Sequence, residues 1–162
     1  MPNVIAVGVV FAAMFVSPAD EVSFLARIER EDLIFNGKPV SRIDRDPDGN
    51  VVRLQLDGLR LSADDFKSLS RVKTLRVLSL RRTNVTDADL RQLQSLPKLE
   101  YLVLTSTEVS DLAIDEIVKM PAVRTICLGD VNISPEAVAK LKDHFQAKDR
   151  RLSLGYSQRK TP

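Results

Sequence analysis

Asp44, Asp46 and Asp48 alternate ahead of Gly49 in the stretch "DRDPDG". A calcium-binding EF-hand loop begins this way, because a hard cation collects carboxylate and carbonyl oxygens from alternate positions of one loop. Counted from Asp44, however, the ninth position is Val52 and the twelfth is Gln55. Calcium needs a bidentate Glu at the last of these, and a second helix after the loop. Val51 to Leu56 instead reads as a strand. Pro47, Asp48 and Gly49 are turn formers, so "DPDGN" is expected to join Val40–Arg45 to that strand as a hairpin, with no metal bound.

The remaining chemistry-bearing residues point away from catalysis. Cys127 is the single cysteine and His144 the single histidine, which excludes an internal disulfide, a Cys-built cage and a His cluster. Glycine-rich phosphate loops and nucleophile elbows are missing. The pairs Asp64–Asp65 and Asp115–Glu116, and likewise Asp87 with Asp89, lie at helix starts or on helix exteriors, where carboxylates are solvated or complement the helix dipole. No basic neighbour in its own repeat would activate the Cys127 thiol. The chain reads as a non-enzyme without a cofactor.

In composition, 24 basic against 22 acidic residues leave a net charge of +2, too balanced for a nucleic-acid partner. The basic residues Arg71, Lys73, Arg76, Arg81, Arg82 and Arg91 fall on different expected faces, without stacking aromatics. Val4 to Val16 is an apolar run too short for a membrane span, which needs about 20 residues. It suits the core of an export signal, with Ser17 and Ala19 at a cleavage point, although no Lys or Arg precedes it. Residues 1–19 are read as this leader, which favours export over a cytoplasmic location. Residues 20–50 form a helix and hairpin cap, 51–148 the repeats described next, and 149–162 a partial strand with a polar tail.

Laid on itself every 24 residues from Val51, the chain aligns as "VVRLQLDGLRLSADDFKSLSRVKT", "LRVLSLRRTNVTDADLRQLQSLPK", "LEYLVLTSTEVSDLAIDEIVKMPA" and "VRTICLGDVNISPEAVAKLKDHFQ". Seven columns are apolar in every unit, and only His144 breaks them, with Phe145 as its stand-in. The period switches from two (Leu78, Leu80) to helical spacing (Leu90, Leu93, Leu96). A cap residue stands between: Ser62, Thr86, Ser110 and Ser134. Pro97 and Pro121 end helices, and Leu152 with Leu154 begins a fifth unit. Such strand–turn–helix units bury their columns only by stacking.

These units resemble leucine-rich repeats of the short bacterial kind, L-x-x-L-x-L-x-x-T-x-V-[TS]-D. The stretch before them, "LIFNGKPVSRIDRDPDGNVV", is similar to the lead-in common before such repeats. The resemblance implies an α/β fold: a right-handed β-α solenoid, with short parallel strands on the concave face and helices on the convex face. It also implies a monomeric protein-binding module with a protein or peptide partner and no stable membrane insertion. Side chains on the exposed strand columns do not support the core and are free for recognition. The partner-binding residues are therefore expected among Arg53, Val77, Arg81, Tyr101, Val103, Thr125 and Cys127. An assembly role through the open C-terminal edge, at Leu152 and Leu154, is the alternative.

Overall fold

The computed structural model describes residues 19–30, 33–35, 38–40, 42–147 and 151–155. The expected leader, apart from Ala19, and the tail beyond residue 155 lie outside the described residues. Among the described residues, no helix is long and apolar enough to cross a membrane. The order of elements is α1 (Ala19–Arg30), β1 (Leu33–Phe35), β2 (Lys38–Val40), β3 (Ile43–Arg45), β4 (Val51–Gln55), α2 (Ala63–Leu69), β5 (Val77–Ser79), α3 (Asp87–Leu93), β6 (Tyr101–Val103), α4 (Asp111–Val118), β7 (Thr125–Gly129), α5 (Pro135–Gln146) and β8 (Arg151–Gly155).

From β4 onward strands and helices alternate. The sheet runs β3-β4-β5-β6-β7-β8, with β4 to β8 parallel. Its register sets Arg53 beside Val77, Val77 beside Tyr101 and Tyr101 beside Thr125, each 24 positions apart. The repeat seen in the sequence is therefore the step from one strand to the next. β8 follows at 26, with Thr125 beside Arg151, because two residues are inserted there. The helices form a second layer in which α2, α3, α4 and α5 each pack on the next.

Between the layers lie the apolar columns. All seven residues of each of the first three units are buried, from Val51 to Met120. Each fully buried Leu or Phe contributes about 1.5–3 kcal/mol of transfer free energy. In the last unit Phe145 occupies the place expected of position 144, and His144 is half-buried. Ile133 and Val138 are only half-buried there. α5 has a helical neighbour on one side alone among the described residues, so one flank of that unit is less covered. At the other end, Phe24 and Ile28 of α1 complete the core beside α2.

The helix starts are specified locally. The Ser62 Oγ accepts from the Asp65 N–H at 3.2 Å while the Asp65 carboxylate accepts from the Ser62 N–H at 2.8 Å, a reciprocal box. Asp89 likewise accepts from the N–H and hydroxyl of Thr86 at 3.0 and 2.8 Å. Ser134 accepts from the Ala137 N–H at 3.2 Å, with Pro135 first in the helix.

"DPDGN" is the turn between β3 and β4. The Asp46 carboxylate accepts the N–H groups of Asp48 and Asn50 at 3.1 and 2.8 Å and the Asn50 side-chain amide, and Gly49 takes the left-handed φ of 83°. The Asn50 side-chain bond, aided by those N–H groups, holds the Asp46 pKa below its ordinary value of 3.8.

One boundary differs from the expectation. Only Ile43–Arg45 forms the arm of that hairpin. Val40 belongs to β2, which pairs antiparallel with β1 in a separate two-stranded sheet. The dipeptide Asn36-Gly37 between two apolar runs is the strongest short-range signal for such a hairpin, and it carries information that the 24-residue alignment, starting at Val51, does not reach.

Candidate functional site

Strand alternation divides the sheet residues cleanly. Leu54, Leu78, Leu102 and Ile126 point into the core and are buried. Their neighbours face away from the helices in two rows fixed by the register: Arg53, Val77, Tyr101, Thr125, and Gln55, Ser79, Val103, Cys127. Six of the seven residues expected on this face therefore stand together there, and Arg81 lies two residues past the end of β5. Val77, Val103, Thr125 and Cys127 are half-buried, while Tyr101, at 37% exposure, is one of the few large apolar residues in the open.

Local bonds order this surface. The Tyr101 hydroxyl lies 3.2 Å from Cys127 Sγ, bridging diagonally from β6 to β7. That contact, with partial desolvation, raises the Tyr101 pKa above its ordinary value of 10.0. A raised value means that ionising the phenol costs folded-state stability, which is fully present below 10.0 and lost as pH rises through the folded value. Cys127→Ala is accordingly expected to bring the Tyr101 midpoint back toward 10.0, read from tyrosinate absorbance against a Tyr101→Phe blank. An unchanged midpoint would show that the hydroxyl and the thiol do not meet.

Arg53 pairs with Asp44 across the hairpin at 3.2 Å, and the Ser79 hydroxyl donates to the Asp57 carboxylate. The Arg81 side chain is exposed and makes no ion pair or hydrogen bond among the described residues. Beyond the strands the backbone ladder continues: Gly58, Arg82 and Ser106 donate to the carbonyls of Arg81, Thr105 and Gly129 at 2.7–3.0 Å. The chain then turns through one left-handed residue per unit, Gly58, Arg82, Ser106 and Asp130, with φ of 75°, 55°, 57° and 51°. Three of these four carry side chains at a conformation that disfavours them. Thr83 and Thr107 close the turn, their buried hydroxyls donating to the carbonyls of Leu80 and Leu104 at 2.7 Å. Leu59 and Val131 occupy the same column in the other units, so those turns lack this bond.

A further row of charges is not singled out by the sequence reading, which takes Arg76 only as one of a scattered basic stretch. Arg76, Glu100 and Arg124 immediately precede the Val77, Tyr101 and Thr125 row and are all exposed. They share a column in the 24-residue alignment, and that spacing was the available signal.

Of the carboxylates expected at helix starts and on helix exteriors, Asp64 and Asp115 are exposed, whereas Glu116 is buried. Asp87 accepts the N–H and hydroxyl of Ser110 in the next unit at 2.8 and 2.6 Å, and Asp111 accepts the Ser134 N–H at 2.6 Å. Both tie one unit to the next. Glu116 is buried at 8% exposure, where it accepts from the Gln94 amide and meets Arg91 and Lys119 at 3.6 and 3.4 Å. Neighbouring charge and a hydrogen-bond donor are what allow a carboxylate into that position. Asp115 bonds Lys140 of α5. A cavity of about 400 Å³ between α1 and α2 is lined by Arg27, Lys67, Asp64 and Asp65 among others, but its charges are paired internally, Arg27 with Asp65 at 2.6 Å and Lys67 with Asp64 at 2.8 Å. No group of three metal-ligating side chains occurs among the described residues.

No protein-family model matches the chain, and no curated protein is similar to it. Among solved structures, one similar chain comes from "Crystal structure of PEPR1-AtPEP1", at 16% identity and a TM-score of 0.47. The match covers 84% of this chain and 24% of that one, so the protein spans about a quarter of its length. At a TM-score below one half, the likeness carries no weight for fold or function.

Proposed function

We propose that this chain is a non-catalytic interaction module of the leucine-rich-repeat kind, a right-handed solenoid that binds a protein or peptide on its strand face. The observation carrying the proposal is the row Val77, Tyr101 and Thr125 beside Val103 and Cys127, with Arg53 and Arg81 at its border. Nothing in the core needs these side chains, since the alternate residues of the same strands supply it. An exposed Tyr over half-buried aliphatic residues, ringed by Arg, has the composition of an interface hot spot. β-propensity by itself accounts for Val and Tyr on a strand, but not for Arg81, exposed at their border without a side-chain partner among the described residues.

Tyr101→Ala combined with Arg81→Glu is expected to abolish capture of the binding partner from cell extract while leaving circular dichroism unchanged. Loss of two central contacts of this type weakens binding by at least about 2 kcal/mol, roughly thirtyfold. Undiminished capture by the double variant would refute the site.

A second reading has its own observation. β8 pairs only with β7 among the described residues, which leaves its other edge open for assembly. Mass that grows with concentration in light scattering, and stops growing on deletion of Arg150 to Pro162, would favour it.

A further inference from the structure

The cap residue of each repeat helix has a backbone N–H to satisfy, and the four units do so in two ways. In α2 and α3 the acceptor is the third residue of the same helix: Asp65 accepts from Ser62 at 2.8 Å and Asp89 from Thr86 at 3.0 Å. In α4 and α5 that third position is Ala113 and Ala137, which have no side-chain acceptor. There the acceptor comes from the first residue of the preceding helix, Asp87 for Ser110 at 2.8 Å and Asp111 for Ser134 at 2.6 Å. Ala63 and Pro135 hold that first position in α2 and α5, so neither lends a side chain onward. Two helix starts are complete in themselves and two are borrowed.

Other contacts divide the repeats at the same place. Asn84 of the second unit accepts from the Leu61 N–H at 2.8 Å and donates to the Leu61 carbonyl at 3.0 Å, clasping the chain just before the Ser62 cap. Glu108 and Asn132 occupy that column in the next units, and their side chains make no such bond among the described residues. Asp65 also holds Arg27 of α1 at 2.6 Å. α4 is joined to α3 by the buried Glu116, which accepts from Gln94. One unit on, the same two columns hold Val118 and Lys140. Besides the Asp111 bond, α5 has only the exposed Lys140–Asp115 pair to α4, a kind of contact that contributes little.

We infer that the repeats open from the C-terminal end, α5 before α4 and both before α2 and α3, with Asp87 and Asp111 as the positioning residues that set this order. A helix start that takes its acceptor from its predecessor is completed only when the predecessor is folded. Loss of the follower, by contrast, leaves the predecessor's own cap intact. Stacked units are stabilised by their nearest neighbours, so a dependence of this kind runs one way along the chain. α5 opens first because its apolar columns are also the least covered: Ile133 and Val138 are half-buried where the equivalent residues of the other units are buried.

Residue-resolved amide hydrogen exchange of the full chain by NMR, in water and in low concentrations of urea, tests this order. Amides of α5 are expected to exchange first and those of α4 next, with α2 and α3 last. Asp111→Ala should speed exchange of the Ala137 and Val138 amides about tenfold, well beyond any change in α4 itself. Asp87→Ala should do the same to Ala113 of α4 and spare α3, whose Asp89–Thr86 bond remains. The decisive readout is rescue. In the Asp111→Ala background, Ala137→Asp supplies the acceptor within α5, where the Ser134 hydroxyl already accepts from the N–H of that position. Asp89 stands half-buried in the same column, so a carboxylate fits there. The rescued chain should regain most of the α5 protection, which a general loss of packing would not allow. Exchange in α2 or α3 ahead of α5 would overturn the inferred order. Loosening of α4 rather than α5 by Asp111→Ala, or no return of α5 protection on adding Ala137→Asp, would overturn the role of the borrowed caps.

Discussion

Leu102→Ala is expected to lower the unfolding free energy by about 2–5 kcal/mol, while Val103→Ala, one residue along the same strand, costs about 1 kcal/mol or less. Both substitutions shorten an aliphatic side chain on β6 and alter β-propensity in the same direction. They differ in which face of the sheet they reach. Leu102 is fully buried, between Leu78 and Ile126 on the flanking strands. Removing its side chain leaves a cavity that the surrounding residues close only in part, and the lost contacts add to the lost transfer energy. Val103 is half-buried on the opposite face, where water can occupy the space. The central unit also contacts neighbours on both sides, so a defect there weakens two interfaces. Urea unfolding of both variants provides the measurement. Equal costs would mean that the sheet is not one-sided, and the free face on which the binding proposal depends would disappear.

Glu116→Lys is expected to cost about 3–5 kcal/mol, at the upper end for a single change. The Glu116 side chain is nearly buried between α3 and α4, where it accepts from Gln94 and faces Arg91 and Lys119. A lysine there would bring a third positive charge to two others and leave the Gln94 amide without its acceptor. Glu116→Leu should cost less, about 1–3 kcal/mol, because Arg91 and Lys119 are more than half exposed and return to water while only the amide stays unmatched. Adding Gln94→Leu to Glu116→Leu should recover part of that loss, since two apolar partners replace a broken pair. Asp115→Lys, on the exposed neighbour, serves as the control: exposed ion pairs contribute little. Should Glu116→Lys be no worse than Asp115→Lys in urea midpoints, the buried network would have no structural part.

These two expectations separate what holds the units together from what the strand face is free to do. Leu102 and Glu116 belong to the two contact systems between neighbouring units, one apolar and one polar. Asp87 and Asp111 extend the polar system by bonding the cap of the following helix. The residues proposed for recognition belong to neither, so changing them should alter binding without unfolding the chain. Arg53 is the exception, because its bond to Asp44 links β3 with β4. For that reason Arg81 and Tyr101 are the better positions to substitute.

Much of the architecture can be read from residue order. Side-chain periods of two and of 3.6 are properties of neighbouring residues, so Leu78 with Leu80 marks a strand and Leu90 with Leu93 a helix wherever they stand. The caps at Ser62, Thr86 and Ser134 and the turn at Asp46 to Asn50 are equally local, each bond spanning four residues or fewer. Repetition at 24 residues then aligned Val77, Tyr101 and Thr125 without reference to coordinates. Tertiary structure decided the rest: that the Tyr101 hydroxyl meets Cys127, that Asp87 and Asp111 bond forward to the next unit, that Glu116 is buried, and that the side chains of Arg76, Arg81, Arg82 and Arg124 remain unpaired among the described residues. Such polar contacts join residues two dozen positions apart through long, rotatable side chains. Charge has no periodic signature comparable to apolar alternation, and whether an arginine finds a carboxylate within reach depends on how closely two units stack.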